Sequence, residues 1–422
     1  MLIAFGLIAI AAVMPVVAAD LGGMRWYALA FATPMAVSVL ALALAGPWMD
    51  RRGVFVPVLV GAVLFAGGLA LCGVAPGMAV FLAGRAVYGF GAGLLQVAMF
   101  VIVARCYPPP LRPAMFALYT STFMTAALAG PAVAGAIAEH LGWRWVFLLV
   151  PVLAAVAVAL LVPALRSLDG RSSAPFDRAV PTRAAVAGLG ILALSVAGQR
   201  TVPGWPVLLA AAVLAVIAAV PRLLPAGTWR FRPGLPATLA MRGLAGAGFL
   251  SIEQYMPLAL TEFRHCPPTL AGTALTVSSV MWFVGAWLCA RPRLFNDIPA
   301  RLRIGLTLGT AGLASVLLLL VDGVPLWLVL IGWGIGALGL GMTLPTLAVT
   351  ILNHSAADTA GANSTYTHLN DAVSQAVTLA VGGVAWSALL PVSPTAAFAA
   401  VLGLSLLLCA AAVVPMRRLA VR

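Results

Sequence analysis

Glu253, Arg85 and Asp371 are charged residues inside or beside long apolar segments, so any chemistry this chain performs has to be sought there first. Glu253 stands in Ser251-Ile252-Glu253-Gln254-Tyr255-Met256-Pro257-Leu258. Removing a carboxyl from water disfavours its charged form, the condition for taking up and releasing a proton. That makes Glu253 the leading candidate for proton binding or for recognising a cationic substrate. The structural alternative is a neutral carboxyl hydrogen-bonded to a neighbouring helix. Arg85 lies about a third of the way into an apolar segment, where a guanidinium costs about 3 kcal/mol on insertion scales and needs a partner or a wet cavity. Bonding to backbone carbonyls is its structural alternative. Asp371, preceded by His368 and Asn370, is the second acid, with a solvated helix end as its competing place. Asp20 and Glu139 fall at segment ends and read as interfacial.

A second set of residues concerns movement. Gly46-Pro47-Trp48-Met49-Asp50-Arg51-Arg52-Gly53 sets three charges and two glycines between two apolar segments. The spacing predicts a tight turn eased by Gly46 and Gly53, with Asp50 capping the helix that follows. From the charges alone it is a solvated turn. Gly130-Pro131-Ala132-Val133-Ala134-Gly135 combines a proline, which bends a helix, with small residues that let another helix approach. Gly332, Gly334, Gly336, Gly339 and Gly341, with Pro345, predict a closely packed helix. Trp282, Phe283, Trp287 and Trp333 are candidates for an aromatic lining, although lipid or core is the commoner place for them.

These residues need helices in a membrane to position them. Hydrophobic residues make up 63% of the 422 and charged residues 8%, a balance found only in chains that live in a bilayer. The net charge is +13, and all 24 basic residues are arginine. With no lysine there is no Walker A lysine and no Schiff-base lysine, which excludes a P-loop ATPase and a retinal or pyridoxal protein within this chain. The arginines are scattered between apolar segments rather than clustered, so no nucleic-acid face is implied. Cys72, Cys106, Cys266, Cys289 and Cys409 and the four histidines lack ligand spacing, and neither a metal nor a cofactor is implied.

The first apolar segment, residues 1–19, lacks a basic start and a cleavage site and reads as a membrane helix rather than a signal peptide. Further spans follow at about 25–45, 56–75, 78–104, 115–138 and 144–165, then a polar stretch from Arg166 to Arg183. Two shorter segments, about 184–199 and 205–221, are marginal for crossing and admit a re-entrant hairpin. Six more, about 236–260, 269–290, 302–321, 325–351, 363–389 and 395–415, complete fourteen spans, or twelve if the middle pair does not cross. With the N-terminus inside, outer loops receive only Arg25, Arg144, Arg200 and Arg264, and Arg85 lies within a helix; the other nineteen face the cytoplasm. That bias sets the orientation, with both termini cytoplasmic. An internal repeat aligns Phe81-Leu82-Ala83-Gly84-Arg85 with Val329-Leu330-Ile331-Gly332-Trp333, each followed by glycines ending at Gly93 and Gly341. A second echo aligns Gly46-Pro47-Trp48-Met49 with Gly285-Ala286-Trp287-Leu288. Repeated halves are the architecture of alternating-access transporters.

The Gly46–Gly53 loop, Arg85-x-x-x-Gly89-x-Gly91, and Gly130-Pro131 followed by Trp143-Arg144-Trp145 resemble signature motifs of the major facilitator superfamily, and the resemblance covers nearly the whole chain. Gly361-Ala362-Asn363-Ser364 before Asp371 resembles the start of the penultimate helix in its fourteen-helix drug:proton antiporter branch. The resemblance implies an all-α fold of two six-helix bundles plus two extra central helices. The corresponding divisions are 1–166, a linker 167–183, the extra pair 184–222, and 223–422. It implies gating by Gly46, Asp50, Arg51 and Gly53, an antiporter motif in Gly130, Pro131 and Gly135, and proton coupling through Arg85. The expected function is proton-coupled export of small, amphipathic or drug-like molecules from the cell by a monomer in the plasma or inner membrane, in contact with lipid. Five positions depart from the family pattern: Val54 and Phe55 replace basic residues, Tyr88 a glutamine, Ala134 a glycine, and Gly6 the usual acid of the first helix. That last change implies either that coupling has moved to Glu253 and Asp371 or that this protein does not couple to protons in the usual way. An uncoupled facilitator or symporter on the same fold is the nearest alternative; a membrane enzyme or sensor would need a catalytic constellation that the sequence does not offer.

Overall fold

The protein was analysed as a computed structural model, which describes residues 2–108, 111–166, 179–200, 203–289, 291, 297–353 and 360–419. Among these residues the regular structure is helical throughout. The helices are α1 (Leu2–Asp20), α2 (Tyr27–Arg52), α3 (Phe55–Gly73), α4 (Met78–Cys106), α5 (Arg112–His140), α6 (Trp143–Arg166), α7 (Ala179–Gly198), α8 (Trp205–Leu223), α9 (Leu235–Arg264), α10 (Pro268–Cys289), α11 (Ile298–Ser315), α12 (Leu326–Asn353), α13 (Ala360–Leu389) and α14 (Pro394–Ala411). Twelve segments are long and apolar enough to cross a bilayer. Helices α1 and α5, with 19 and 29 residues, also have the length for it.

The partners of each helix repeat with an offset of eight. Helix α4 packs on α2 and α3, as α12 packs on α10 and α11, and α1 on α5, as α9 on α13. The repeat extends to single contacts. Arg85 Nε donates to the carbonyl of Ala30, and Trp333 Nε1 to that of Ala274. Gly93 lies against the Ser38 carbonyl as Gly341 lies against that of Trp282, and Gly91 against the Gly61 carbonyl as Gly339 against that of Gly305. Gly68 and Gly84 approach each other as Gly312 and Gly332 do. Between these pairs α4 maps onto α12 with a shift of 248 residues, and α2 and α3 onto α10 and α11 with a shift of 244. The alignment of Arg85 with Trp333 is therefore in register. That of Gly46 with Gly285 is five residues out, because it matches composition where no contact fixes the pairing.

Two seams join the halves, α5 against α10 and α2 against α13. Helix α7 lies along the second. Its Ala184, Ala187, Ile191 and Leu194 bury against Ala36, Val39, Leu42 and Ala43 of α2 and against Leu369, Ala372, Val373 and Ala376 of α13. Helix α8 packs outside it and turns Val207, Leu214 and Ile217 outward. Helix α7 opens at Ala179, within the stretch assigned to the linker, while residues 167–178 of that stretch lie outside the described residues.

The turn expected over Gly46–Gly53 is shorter than the sequence suggested. Helix α2 continues through Asp50 to Arg52, so Gly46 is helical, with no atom within 4 Å of where its Cβ would stand. The reversal falls on Gly53 alone, at φ 78° and ψ 175°, a conformation essentially reserved for glycine. Asp50 belongs to the last turn of α2 and does not cap α3, whose N-cap is Val54. Pro47 misled the reading: α2 carries both Pro34 and Pro47 in its interior, which membrane helices tolerate.

Candidate functional site

Glu253 points from the middle of α9 towards α10, where Ser278 Oγ donates a 2.6 Å hydrogen bond to its Oε1. Ser278 is 1% exposed and its hydroxyl also approaches the Leu275 carbonyl at 3.2 Å. No salt bridge to Glu253 occurs among the described residues. Among the described residues the carboxyl thus has one neutral donor and no counter-ion, so its charge state can change without breaking an ion pair there.

Asp371 is placed otherwise. On α13 it receives Nε of Arg242 at 2.9 and 3.1 Å and Nη2 at 2.8 Å, while Nη1 donates to the Leu344 carbonyl at 2.9 Å. One guanidinium ties α9, α12 and α13 together on the arginine-rich side, next to Asn370, which donates to the Leu239 carbonyl. Asp371 is therefore in a bidentate ion pair, the strong geometry for Arg and carboxylate. Counting arginines by loop hid this partner. The available signal was an arginine eight residues into an apolar helix, which requires a partner.

Arg85 is 2% exposed and lies within the first half. Besides the 2.9 Å bond to Ala30, its guanidinium carbon is 5.0 Å from the centre of the Tyr88 ring, and its Nη1 is buried with no hydrogen-bond partner among the described residues. Tyr88 in turn fills the space over Gly6: a Cβ there would stand 2.8 Å from the Tyr88 hydroxyl. Two departures from the family pattern, Gly6 and Tyr88, are thus in contact with each other.

Pro131 and Gly135 lie on the α5–α10 seam, with Gly130 the residue before Pro131 on α5. Gly135 admits the Pro268 carbonyl, and Gly272 admits that of Pro131, within 2.6 Å of where its Cβ would be. At the same end Thr269 Oγ1 bonds to the Glu139 carboxylate. Asp20 accepts Trp143 Nε1 at 3.0 Å and Arg144 at 3.2 Å, and Arg144 also reaches the Ala75 carbonyl. The two halves meet on this arginine-poor side through Tyr27, which donates to the Gln254 carbonyl at 2.7 Å, and Trp386, which donates to that of Met24 at 3.2 Å. On the opposite side Gln96 of α4 lies 3.4 Å from His368 of α13. Asp50 is half-buried and Arg51 exposed.

The four aromatics do not converge on a cavity. Trp333 is fully buried and stacks on Phe249 at 4.5 Å, whereas Phe283 and Trp287 are exposed on the lipid-facing surface. The side chains of Gly361-Ala362-Asn363-Ser364 lie outside the described residues.

Two repeated helical bundles, closed against each other along two seams and carrying a half-buried acid with no ion-pair partner among the described residues, define a polytopic membrane protein of repeated-bundle architecture. Residues 1–376 match the sequence profile of the Major Facilitator Superfamily, and the chain belongs to that family. It is 28% identical over 291 residues to a probable multidrug-efflux transporter of Mycobacterium tuberculosis, a match covering 64% of this chain and 60% of the relative. It is 26% identical over 354 residues to the methylenomycin A resistance protein of Bacillus subtilis, covering 79% and 73%. A crystal structure of a POT family transporter superposes with a TM-score of 0.72 at 15% identity, covering 98% of this chain and 93% of the other. At that identity the likeness extends to the fold.

Proposed function

We propose that this protein exports small, amphipathic or drug-like molecules across the cell membrane by alternating access, driven by protons moving inward. In this reading residues 1–166 and 223–422 are the moving bodies, 167–183 links them, 184–222 forms the extra pair, and both termini are cytoplasmic. The observation that carries it is Glu253, a carboxyl in the first helix of the second half with one neutral hydrogen bond and, among the described residues, no counter-ion. A proton on Glu253 removes a charge that one bundle arrangement tolerates better than the other, and so biases the equilibrium between them. Asp371, held by Arg242, serves as a tether rather than a carrier. The efflux and resistance functions named for the two relatives support the direction of transport.

The test uses liposomes with an imposed pH gradient and ethidium as the probe. Wild type moves the dye uphill until an ionophore collapses the gradient. Glu253→Gln loses gradient-driven transport at least about tenfold but keeps downhill exchange, whereas Asp371→Asn still responds to the gradient. A wild type indifferent to the gradient would favour an uncoupled facilitator, and Glu253→Gln matching wild type would overturn the assignment.

A further inference from the structure

Helix α10 is held by both halves at once, at points about nine ångströms apart. Near its start it is seated in α5 of the first half: Pro268 in the notch at Gly135, Thr269 on Glu139, and Gly272 beneath the Pro131 carbonyl. Six residues beyond Gly272, a rise of about 9 Å, Ser278 donates to Glu253 of the second half. Pro131 lacks the N–H that would tie its turn of α5 together, so this part of α5 yields more readily than a regular helix.

We infer that Ser278 is a positioning residue through which the proton state of Glu253 is exchanged with the α5–α10 seam, making the Gly130-Pro131-Gly135 motif and the acid one device. This rests on the proposed role of Glu253 and names a second residue for it. A serine hydroxyl can donate fully to a carboxylate but binds a neutral carboxyl less strongly. Loss of the charge therefore loosens α10 from α9, while its grip on α5 stays as it was. Conversely, a displacement of α10 at Gly272 carries Ser278 away from Glu253.

Charged and titratable groups on the surrounding elements do not supply this link. Helix α12 carries no such group, and α10 and α14 carry only Cys289 and Cys409. Helix α1 offers Asp20 at its far end, bonded to Trp143 and Arg144. Helix α13 offers Tyr366, His368, which lies beside Gln96, and Asp371, bound to Arg242 of α9. Helix α11 offers Arg301 and Arg303 in its first turns, on the arginine-rich side. From α2, Tyr27 bonds to the Gln254 carbonyl, and Tyr255 of α9 rests on Tyr27 and Trp386.

The experiment needs no substrate: infrared titration of the protonated-carboxyl band in the purified full chain. Glu253→Gln removes the titrating component, and its failure to do so would count against the proposed function itself. In Ser278→Ala the midpoint rises by about one pH unit, because a donor favouring the charged form is gone; Ser278→Thr restores it. Gly272→Ala also raises the midpoint, but adds nothing in the Ser278→Ala background. If Glu253→Gln removes the band while Ser278→Ala leaves the midpoint unmoved, Ser278 is ordinary packing and the inference falls. A Gly272→Ala shift that simply adds to that of Ser278→Ala would overturn the link to α5.

Discussion

A residue's departure from its family's pattern gains meaning when its neighbour is known. Gly6 and Tyr88 each break the motif, and in the sequence, 82 positions apart, they look independent. Packed, they form one unit in which the tyrosine ring occupies the room that a side chain at position 6 would need. The Tyr88 hydroxyl is buried without a partner among the described residues, so removing it forfeits no hydrogen bond there. Tyr88→Phe should leave thermal stability within about 0.5 kcal/mol of wild type, while Gly6→Ala lowers Tm by several degrees through overpacking. In the double variant part of that loss returns, a coupling of about 1 kcal/mol in a thermal-melt cycle. Strict additivity would show that the two sites do not share space. The mirrored bonds of Arg85 and Trp333 divide the arginine's role in the same way. A neutral indole makes the equivalent bond in the second half, so the structural part of Arg85 is its Nε. Its Nη1 is the part that packing among the described residues leaves unexplained.

At the scale of helices, the sequence was most legible where apolar length and close-packed glycines spoke together. The spans of the second half were located to within a few residues, and the glycines of α12 do pack against backbone, at Gly305, Gly309 and Trp282. Loop boundaries were less legible because proline and glycine carry a turn meaning in soluble proteins that a bilayer weakens. Helix α2 shows this: Gly46 and Pro47 read as a turn, yet with no water to satisfy freed backbone groups the helix runs on to Arg52. The consequence separates the two motif glycines. Gly46→Ala meets no atom and exchanges a poor helix former for a good one, so Tm should hold or rise, by up to about 1 kcal/mol of stability. Gly53→Ala forces a Cβ into a glycine-only conformation and should lower Tm and slow transport together. Equal effects from the two would mean that the motif acts as the turn the sequence first suggested.

For the whole molecule, a hydropathy reading leaves the middle pair undecided, because segments of 184–199 and 205–221 fall short of a bilayer. Helix formation from Ala179 to Gly198 and from Trp205 to Leu223 lengthens them to 20 and 19 residues, each about 30 Å and equal to the hydrocarbon core. Helix α7 gains those residues at its arginine-bearing start, where polarity had made the sequence look like linker. Its contacts also argue for crossing. Gly188 and Gly198 lie against α2 and α13 at successive depths, and Ser387 donates to the Gly198 carbonyl. A re-entrant loop that turned back at mid-depth would not follow the seam through both levels. The connecting turn at Pro203 and Gly204 is exposed, while the native Cys106 is exposed at the opposite end of α4. A membrane-impermeant maleimide applied to intact cells should therefore label Pro203→Cys and leave Cys106 untouched until the membrane is permeabilised. Labelling of Pro203→Cys only after permeabilisation would reduce the crossings to twelve and place the pair inside. With fourteen, a helix packed on α2 and bonded to α13 lies along the line on which the proposed mechanism parts the bundles, so the extra pair is positioned to limit that opening.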